Sequence, residues 1–257
     1  MLNMRGPMRP GWRPGVCVRV GGVVQSSGLE GELARRGLRV RGAFAPDPAL
    51  DLDLLGDAPW ARTVVLVGNV GRELWDASGA EIAALSGPDP LDQWTRQTVD
   101  PIAAGLQGRA LYPFAGPPYW PFQRWAERAE GVRPSPLGIF IHPEYGLWHA
   151  YRAAIVLPAA LPVPAAVAPP HPCDTCADRP CLTHCPVGAF SEHGYDVGIC
   201  VDYVVKTRDD SGACGHVGCQ ARLACPVGAA WRYRADQAQF HMAAFVRARL
   251  AARDAKS

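Results

Sequence analysis

The sequence predicts an α+β architecture in two parts, a layered domain over residues 16–157 and a smaller cysteine-bound module over residues 173–257. Three observations predict it. Strand-like runs of β-branched residues and helix-period segments are mixed along the first half, the order expected of an α/β or α+β layered domain. Eight of the nine cysteines fall between Cys173 and Cys225. Between the two parts runs LPAALPVPAAVAPPHPCD, which has six prolines between Leu157 and Cys173 and almost no charge, so residues 158–172 read as a semi-rigid linker.

Taken in order, residues 1–15 (MLNMRGPMRPGWRPG) carry prolines and glycines where a secretory signal would carry an apolar core, and they read as a mobile arm. Val16 to Val24 suits a short strand, Gly28 to Gly37 a helix that stops at glycine, and Leu38 to Phe44 another strand. Residues 45–61, with Pro46, Asp47, Pro48, Asp51, Asp53 and Gly56, read as a loop. Thr63 to Val67 is the strongest strand of this half, and Gly68-Asn69-Val70-Gly71 after it reads as a turn. Asp89 opens a helix with Trp94, Val99, Ile102 and Leu106 spaced for one buried face. Ala110 to Phe114 then reads as a strand, Pro121 to Glu130 as a helix, and Leu137 to His142 and Trp148 to Leu157 as strands. Past the cysteines, Asp236 to Arg253 is a helix with Phe240, Ala243, Val246 and Leu250 on its apolar side, expected to pack across one domain.

The thiols are spaced for clusters. Cys173, Cys176, Cys181 and Cys185 stand as C-x2-C-x4-C-x3-C-P, close to the C-x2-C-x2-C-x3-C-P run of bacterial ferredoxins. The strings Cys185-Pro186-Val187-Gly188-Ala189 and Cys225-Pro226-Val227-Gly228-Ala229 are identical and forty residues apart, the mark of an internally duplicated module. The spacing therefore predicts a ferredoxin-like domain with two [4Fe-4S] clusters. In such crossed modules the fourth cysteine of each run serves the other half's cluster. One set is then Cys173, Cys176, Cys181 and Cys225, the other Cys185, Cys200, Cys214 and Cys219, its loop lengthened by the polar insert 207–213. Two zinc ribbons would show four C-x2-C pairs and no Cys-Pro endings. Disulfides would need an oxidising compartment. Cys17 is left as a plain thiol.

At 257 residues and 48% hydrophobic content the chain can bury a substantial core. Twenty-six basic against twenty-four acidic side chains give a formal charge of +2, which announces neither nucleic acid nor an anionic membrane as partner. No apolar run approaches the roughly 18 residues of a membrane span. A reducing cytoplasmic location is expected.

A dense aromatic block runs from Tyr112 to Leu157. Tyr119, Trp120, Tyr145, Trp148 and Tyr151 are interleaved with Gln123, Arg124, His142 and Arg152, the mixture expected around a large flat ligand and equally that of an aromatic core. Asp89-Pro90-Leu91-Asp92-Gln93, Tyr119 with Gln123-Arg124, and the string Ile141-His142-Pro143-Glu144-Tyr145-Gly146-Leu147-Trp148-His149-Ala150-Tyr151-Arg152 resemble the matching segments of the CblC-type vitamin B12 processing chaperones. The resemblance covers roughly residues 60 to 158 and rests on several short strings in one order. It implies a nitroreductase-like α+β domain that binds cobalamin and removes its upper ligand. Tyr119, Gln123, Arg124, His142, Tyr145, Gly146, Trp148 and Arg152 are the pocket residues it implies. The cysteine module is similar to that of epoxyqueuosine reductases and reductive dehalogenases, which also set cobalamin beside two [4Fe-4S] clusters.

Departures narrow the expectation. A linker and cluster module stand where the CblC-type proteins bind glutathione, so the clusters are expected to supply the electrons. No helical-repeat tail for tRNA is found, and His142-Pro143-Glu144-Tyr145-Gly146 is not the Asp-x-His-x-x-Gly pattern, so the sequence gives no ground for assigning His142 as an axial cobalt ligand. The combined expectation is an iron-sulfur cobalamin reductase fed by a flavoprotein or ferredoxin. A ferredoxin-type electron carrier and a cobalamin-dependent reductase of the epoxyqueuosine or dehalogenase type stay open beside it. FMN, which nitroreductase-like domains commonly hold, stays open at the same site.

Overall fold

The computed structural model describes residues 26–163, 168–191 and 194–255. The expected arm, the strand Val16 to Val24 and Cys17 lie outside them. The N-terminal half is built on four antiparallel strands in the order β1-β2-β6-β3. Helix α1 (Ser26–Arg35) leads into β1 (Arg39–Phe44), and β2 (Thr63–Val70) follows the short helix α2 (Leu52–Asp57). Helices α3 (Glu73–Ala84) and α4 (Pro90–Gly105) precede β3 (Arg109–Leu111). After α5 (Phe122–Glu130), a small ribbon of β4 (Arg133–Pro134) and β5 (Phe140–Ile141) leads to β6 (His149–Leu157).

Strand β2 is buried at every position, because helices cover both faces of the sheet. On one face Val65, Val67, Ala153 and Ile155 pack with Leu33 of α1, Leu74 and Ile82 of α3, and Trp94 and Val99 of α4. On the other, Val64, Leu66, Ala154 and Val156 pack with Leu54 of α2 and Phe122 and Trp125 of α5. Trp125 donates its indole N–H to buried Asp51 at 3.0 Å, and Arg128 pairs with the same carboxylate at 2.5 Å. These bonds anchor the predicted loop 45–61, the middle of which is in fact α2. Helix α3 carries no strong sequence signal, since its buried face combines Leu74 and Ile82 with Ser78 and Gly79, and the Trp75 ring lies against the glycine.

Strand β6 holds a bulge. Its register with β2 runs Ala153 opposite Val67 and then Tyr151 opposite Gly68, which leaves Arg152 as the extra residue.

The cysteine module follows as α6 (Pro180–Thr183), the ribbon β7 (Phe190–Ser191) and β8 (Gly194–Tyr195), α7 (Val197–Lys206), α8 (Cys214–Val217), α9 (Gln220–Leu223) and α10 (Ala235–Asp254). In both Cys-Pro-Val-Gly-Ala strings the glycine takes left-handed φ, 62° at Gly188 and 71° at Gly228, so the repeated words fold alike. The proline-rich stretch is fastened at its start. The Thr63 hydroxyl donates to the Ala159 carbonyl and accepts from the Leu161 N–H. Helix α10 reaches both halves. Phe240 meets Trp75 of α3 at 5.0 Å, Asp236 accepts from the Trp75 indole, and Arg253 pairs with Asp202 of α7 at 2.7 Å. Ala243 and Leu250 face outward, so the apolar side expected of this helix is only partly used.

Candidate metal centre

The local fold brings the eight thiols into two neighbourhoods. Burial raises the Cys173 thiol to about 11, and the nearby sulfurs of Cys225, Cys181 and Cys176 add to it. Cys181 is raised by burial and by Cys225 and Cys176, and Cys225 by burial and by Cys176. In the second neighbourhood burial raises Cys219 to about 11, with Cys214 and Cys200 adding. Cys214 is raised by burial and by Cys200 and Cys185, and Cys200 by burial and by Cys185. Each set thus takes its lone distant member from the other end of the module.

Backbone donors face these sulfurs. The Ala189 N–H donates to Cys185 Sγ at 3.3 Å, and main-chain bonds reach Cys214 from Gln220, Cys219 from Arg222 and Cys225 from Val227. Donors of this kind favour a thiolate over a thiol, which is what an iron-bound sulfur requires. Cys173, Cys176, Cys181 and Cys225 border one cavity with Pro172, Pro180 and Pro226. Among the described residues no three His, Cys, Asp or Glu side chains converge as they would on a single ion. The four cysteines of the first set border a space between them. On these counts the residues fit iron-sulfur ligation.

The first set is joined to the N-terminal half by a shared apolar core of Cys181, Cys225 and Ala221 with Leu137, Ile141 and Leu147. Backbone meets backbone at the same place. A methyl group added at Gly146 would stand 2.0 Å from the Val227 carbonyl oxygen, and one at Gly228 2.3 Å from the Tyr145 carbonyl carbon. The Cys225 loop therefore sits directly on the turn from His142 to Trp148.

That turn gathers some of the residues the aromatic block offers. His142 stacks on Tyr145 at 4.2 Å, and its Nδ1 accepts from the backbone N–H of Glu144 and Tyr145. Burial, and then the Arg41 guanidinium, hold the imidazole down at about 4. Arg41 is itself buried. It pairs with Glu130 at 3.0 Å and lies over the Tyr145 and Tyr151 rings, while the Tyr151 hydroxyl donates to Glu130. Tyr145 is closed from the module side by Trp231, edge-on at 5.0 Å.

The remaining expected pocket residues lie apart. The β6 bulge turns Arg152 to the α4 face, where it pairs with Asp92 at 2.6 Å. Trp148 is buried against Arg222 and Tyr233 of the module. Tyr119, Gln123 and Arg124 are exposed, the last two on the outer side of α5. None of the eight lines the thiol-bordered cavity, nor a second one of about 280 Å³ between α1, α3 and α4 that is lined by Glu32, Arg36, Glu81 and Trp94 among others.

No family model matches this chain, and no curated protein does either. Solved structures give weak likenesses. An epoxyqueuosine reductase with a tRNA-Tyr epoxyqueuosine-modified stem loop aligns at 16% identity and a TM-score of 0.45, over 77% of this chain and 62% of that one. The Bacillus subtilis epoxyqueuosine reductase aligns at 15% identity and 0.43, over 77% and 62%. The C. elegans B12-trafficking protein CblC aligns at 13% identity and 0.46, over 83% and 88%. The present chain spans about three fifths of the length of the two reductases.

Several residues of this joint were not expected from the sequence. Arg41, Glu130, Arg222 and Tyr233 are separated along the chain and carry no motif. Trp231-Arg232-Tyr233-Arg234, directly after the second Cys-Pro-Val-Gly-Ala string, was the available signal: aromatic and basic residues where a plain connector would be polar.

Proposed function

We propose that this chain is an iron-sulfur oxidoreductase that reduces the cobalt of a bound cobalamin, its electrons coming from a reduced flavoprotein or ferredoxin. The observation that carries the reading is the division of eight thiols into two crossed sets of four, with the Cys225 loop seated on the His142–Trp148 turn. Cys173, Cys176, Cys181 and Cys225 would hold one [4Fe-4S] cluster, and Cys185, Cys200, Cys214 and Cys219 the other. Bound there, the two clusters would supply single-electron relay. The chain's own part is placement. Amide donors orient the sulfurs, Leu137, Ile141 and Leu147 keep water from Cys181 and Cys225, and the Gly146 and Gly228 contacts fix the turn against the loop.

On the strength of the sequence resemblance, Tyr119, Gln123, Arg124, His142, Tyr145, Gly146, Trp148 and Arg152 are proposed to contact the corrin. An electron added to its cobalt weakens the bond to an upper cyanide or water, which leaves with the bonding pair. A reducing cytoplasmic setting suits such a centre. A second reading, an electron carrier whose N-terminal half only docks a partner, is favoured by the dispersal of those eight residues. One experiment separates the two. Protein purified without oxygen and assayed for iron and sulfide is titrated with hydroxocobalamin. A saturable shift of the corrin spectrum, with cobalt reduced when dithionite is added, is expected. An unshifted spectrum would leave the carrier, and the same spectra report bound FMN by its own absorption.

A further inference from the structure

The joint holds more positive charge and more donors than its own residues satisfy. Tyr233 is its hub. The Arg222 guanidinium lies 4.4 Å from the Trp148 ring centre and 4.6 Å from that of Tyr233, and Trp148 meets Tyr233 edge-on at 5.3 Å. His241 of α10 packs 5.4 Å from Tyr233, within electrostatic reach of both Arg152 and Arg222. Arg152 is paired with the Asp92 carboxylate, whereas Arg222 donates to the neutral Leu147 carbonyl. Three N–H donors, Trp148 Nε1, Arg152 Nε and Arg222 Nε, are shut away from solvent with no acceptor among the described residues. Trp148 is only 3% exposed. Buried donors in folded proteins are almost always paired, and donors on cations pair best with anions.

We infer that Trp148, Arg152 and Arg222 form a binding site for a phosphate group in the joint between the N-terminal half and the cysteine module. A tetrahedral phosphate presents oxygens in several directions and carries the missing negative charge. One cation comes from β6 and the other from α9, so the bound group ties the halves together. The phosphate is either free or carried by a larger ligand. If the cobalamin reading holds, the second source is the phosphodiester of the nucleotide loop, which cobalamin has and cobinamide lacks.

The test uses the cluster-loaded full chain at constant ionic strength. Calorimetric titration with inorganic phosphate is expected to show saturable binding, weakened about tenfold or more in Arg222→Gln. If the group belongs to a larger ligand, phosphate alone binds weakly, while cobalamin is preferred over cobinamide and Arg222→Gln erases the preference. Should Arg222→Gln lose its clusters, Trp148→Phe, which removes the N–H and keeps an aromatic ring, must weaken the same binding. No saturable phosphate binding together with equal binding of the two corrinoids would overturn the site. Failure of both corrinoids to bind would sink the cobalamin reading instead, and the phosphate titration alone would then decide this site.

Discussion

At Gly146 the backbone takes a left-handed φ of 55° with the Val227 carbonyl pressed against the place of a side chain. Gly146→Ala therefore meets both torsional strain and a clash with main chain, neither of which a neighbouring rotamer relieves. Iron loss to a chelator is expected to quicken by about tenfold or more in this variant, measured by bleaching of the cluster absorption. His241 gives a second prediction. Burial, then Arg152 and Arg222, hold its pKa at about 4 against the ordinary 6.5. Below pH 6.5 the unfolded chain takes up a proton that the folded chain refuses until about pH 4, so stability falls as pH drops through that window. Replacing His241 with Phe should flatten the slope of unfolding free energy against pH there, measured by denaturant titration in phosphate-free buffer. An unchanged slope would mean the imidazole is already free to protonate in the fold.

Helix α10 is the element on which both halves depend. Its first turns hold Trp75 through Phe240 and Asp236, its middle donates from Arg247 to the Pro88 carbonyl, and its end reaches α7 through Arg253. The sequence marks it clearly as a helix by period and length, yet assigns it to one domain. Its surface ion pairs contribute little each, so the grip falls to Phe240 and to buried Gln237, which donates to the Gly71 carbonyl. Phe240→Ala is expected to lower stability by about 2 kcal/mol, less than for a fully buried ring, and to open the segment around Leu161, which packs on the same core, to protease. Equal cleavage rates in the variant and the parent protein would show that α10 does not hold the halves together.

Across the whole molecule, the crossed thiol sets make a prediction that a simple tandem of sites does not. Cys185→Ala should spare the site of Cys173, Cys176 and Cys181, its immediate neighbours in sequence, and empty that of Cys200, Cys214 and Cys219. On the proposed reading of one four-iron cluster per set, iron should fall from about eight to about four per chain, and the remaining signal by electron paramagnetic resonance should be that of the first set. Loss of the first set's signal in place of the second would reverse the assignment.

The main elements of the fold were legible where a physical period repeats: the Thr63 strand, the Asp89 helix and α10 all follow from spacing. Helix α3 and the helix inside 45–61 were not, since small residues and a buried Asp51 do their work through Trp75, Trp125 and Arg128, which are distant in sequence. The two identical Cys-Pro-Val-Gly-Ala strings and the thiol spacing were legible because such loops are written in consecutive residues, while the crossed grouping came from the arrangement of two-cluster ferredoxins. The pocket residues depended on which way each side chain of β6 turns. A single bulge at Arg152 exchanges the faces that Tyr151 and Arg152 would take by simple alternation from Ala153, and no residue type announces it. Sequence alone thus determined the thiol pattern and the order of elements. Only tertiary packing decided that the Cys225 loop rests on Gly146 and that Arg222 stacks on Trp148 and Tyr233, because those contacts join segments set apart along the chain.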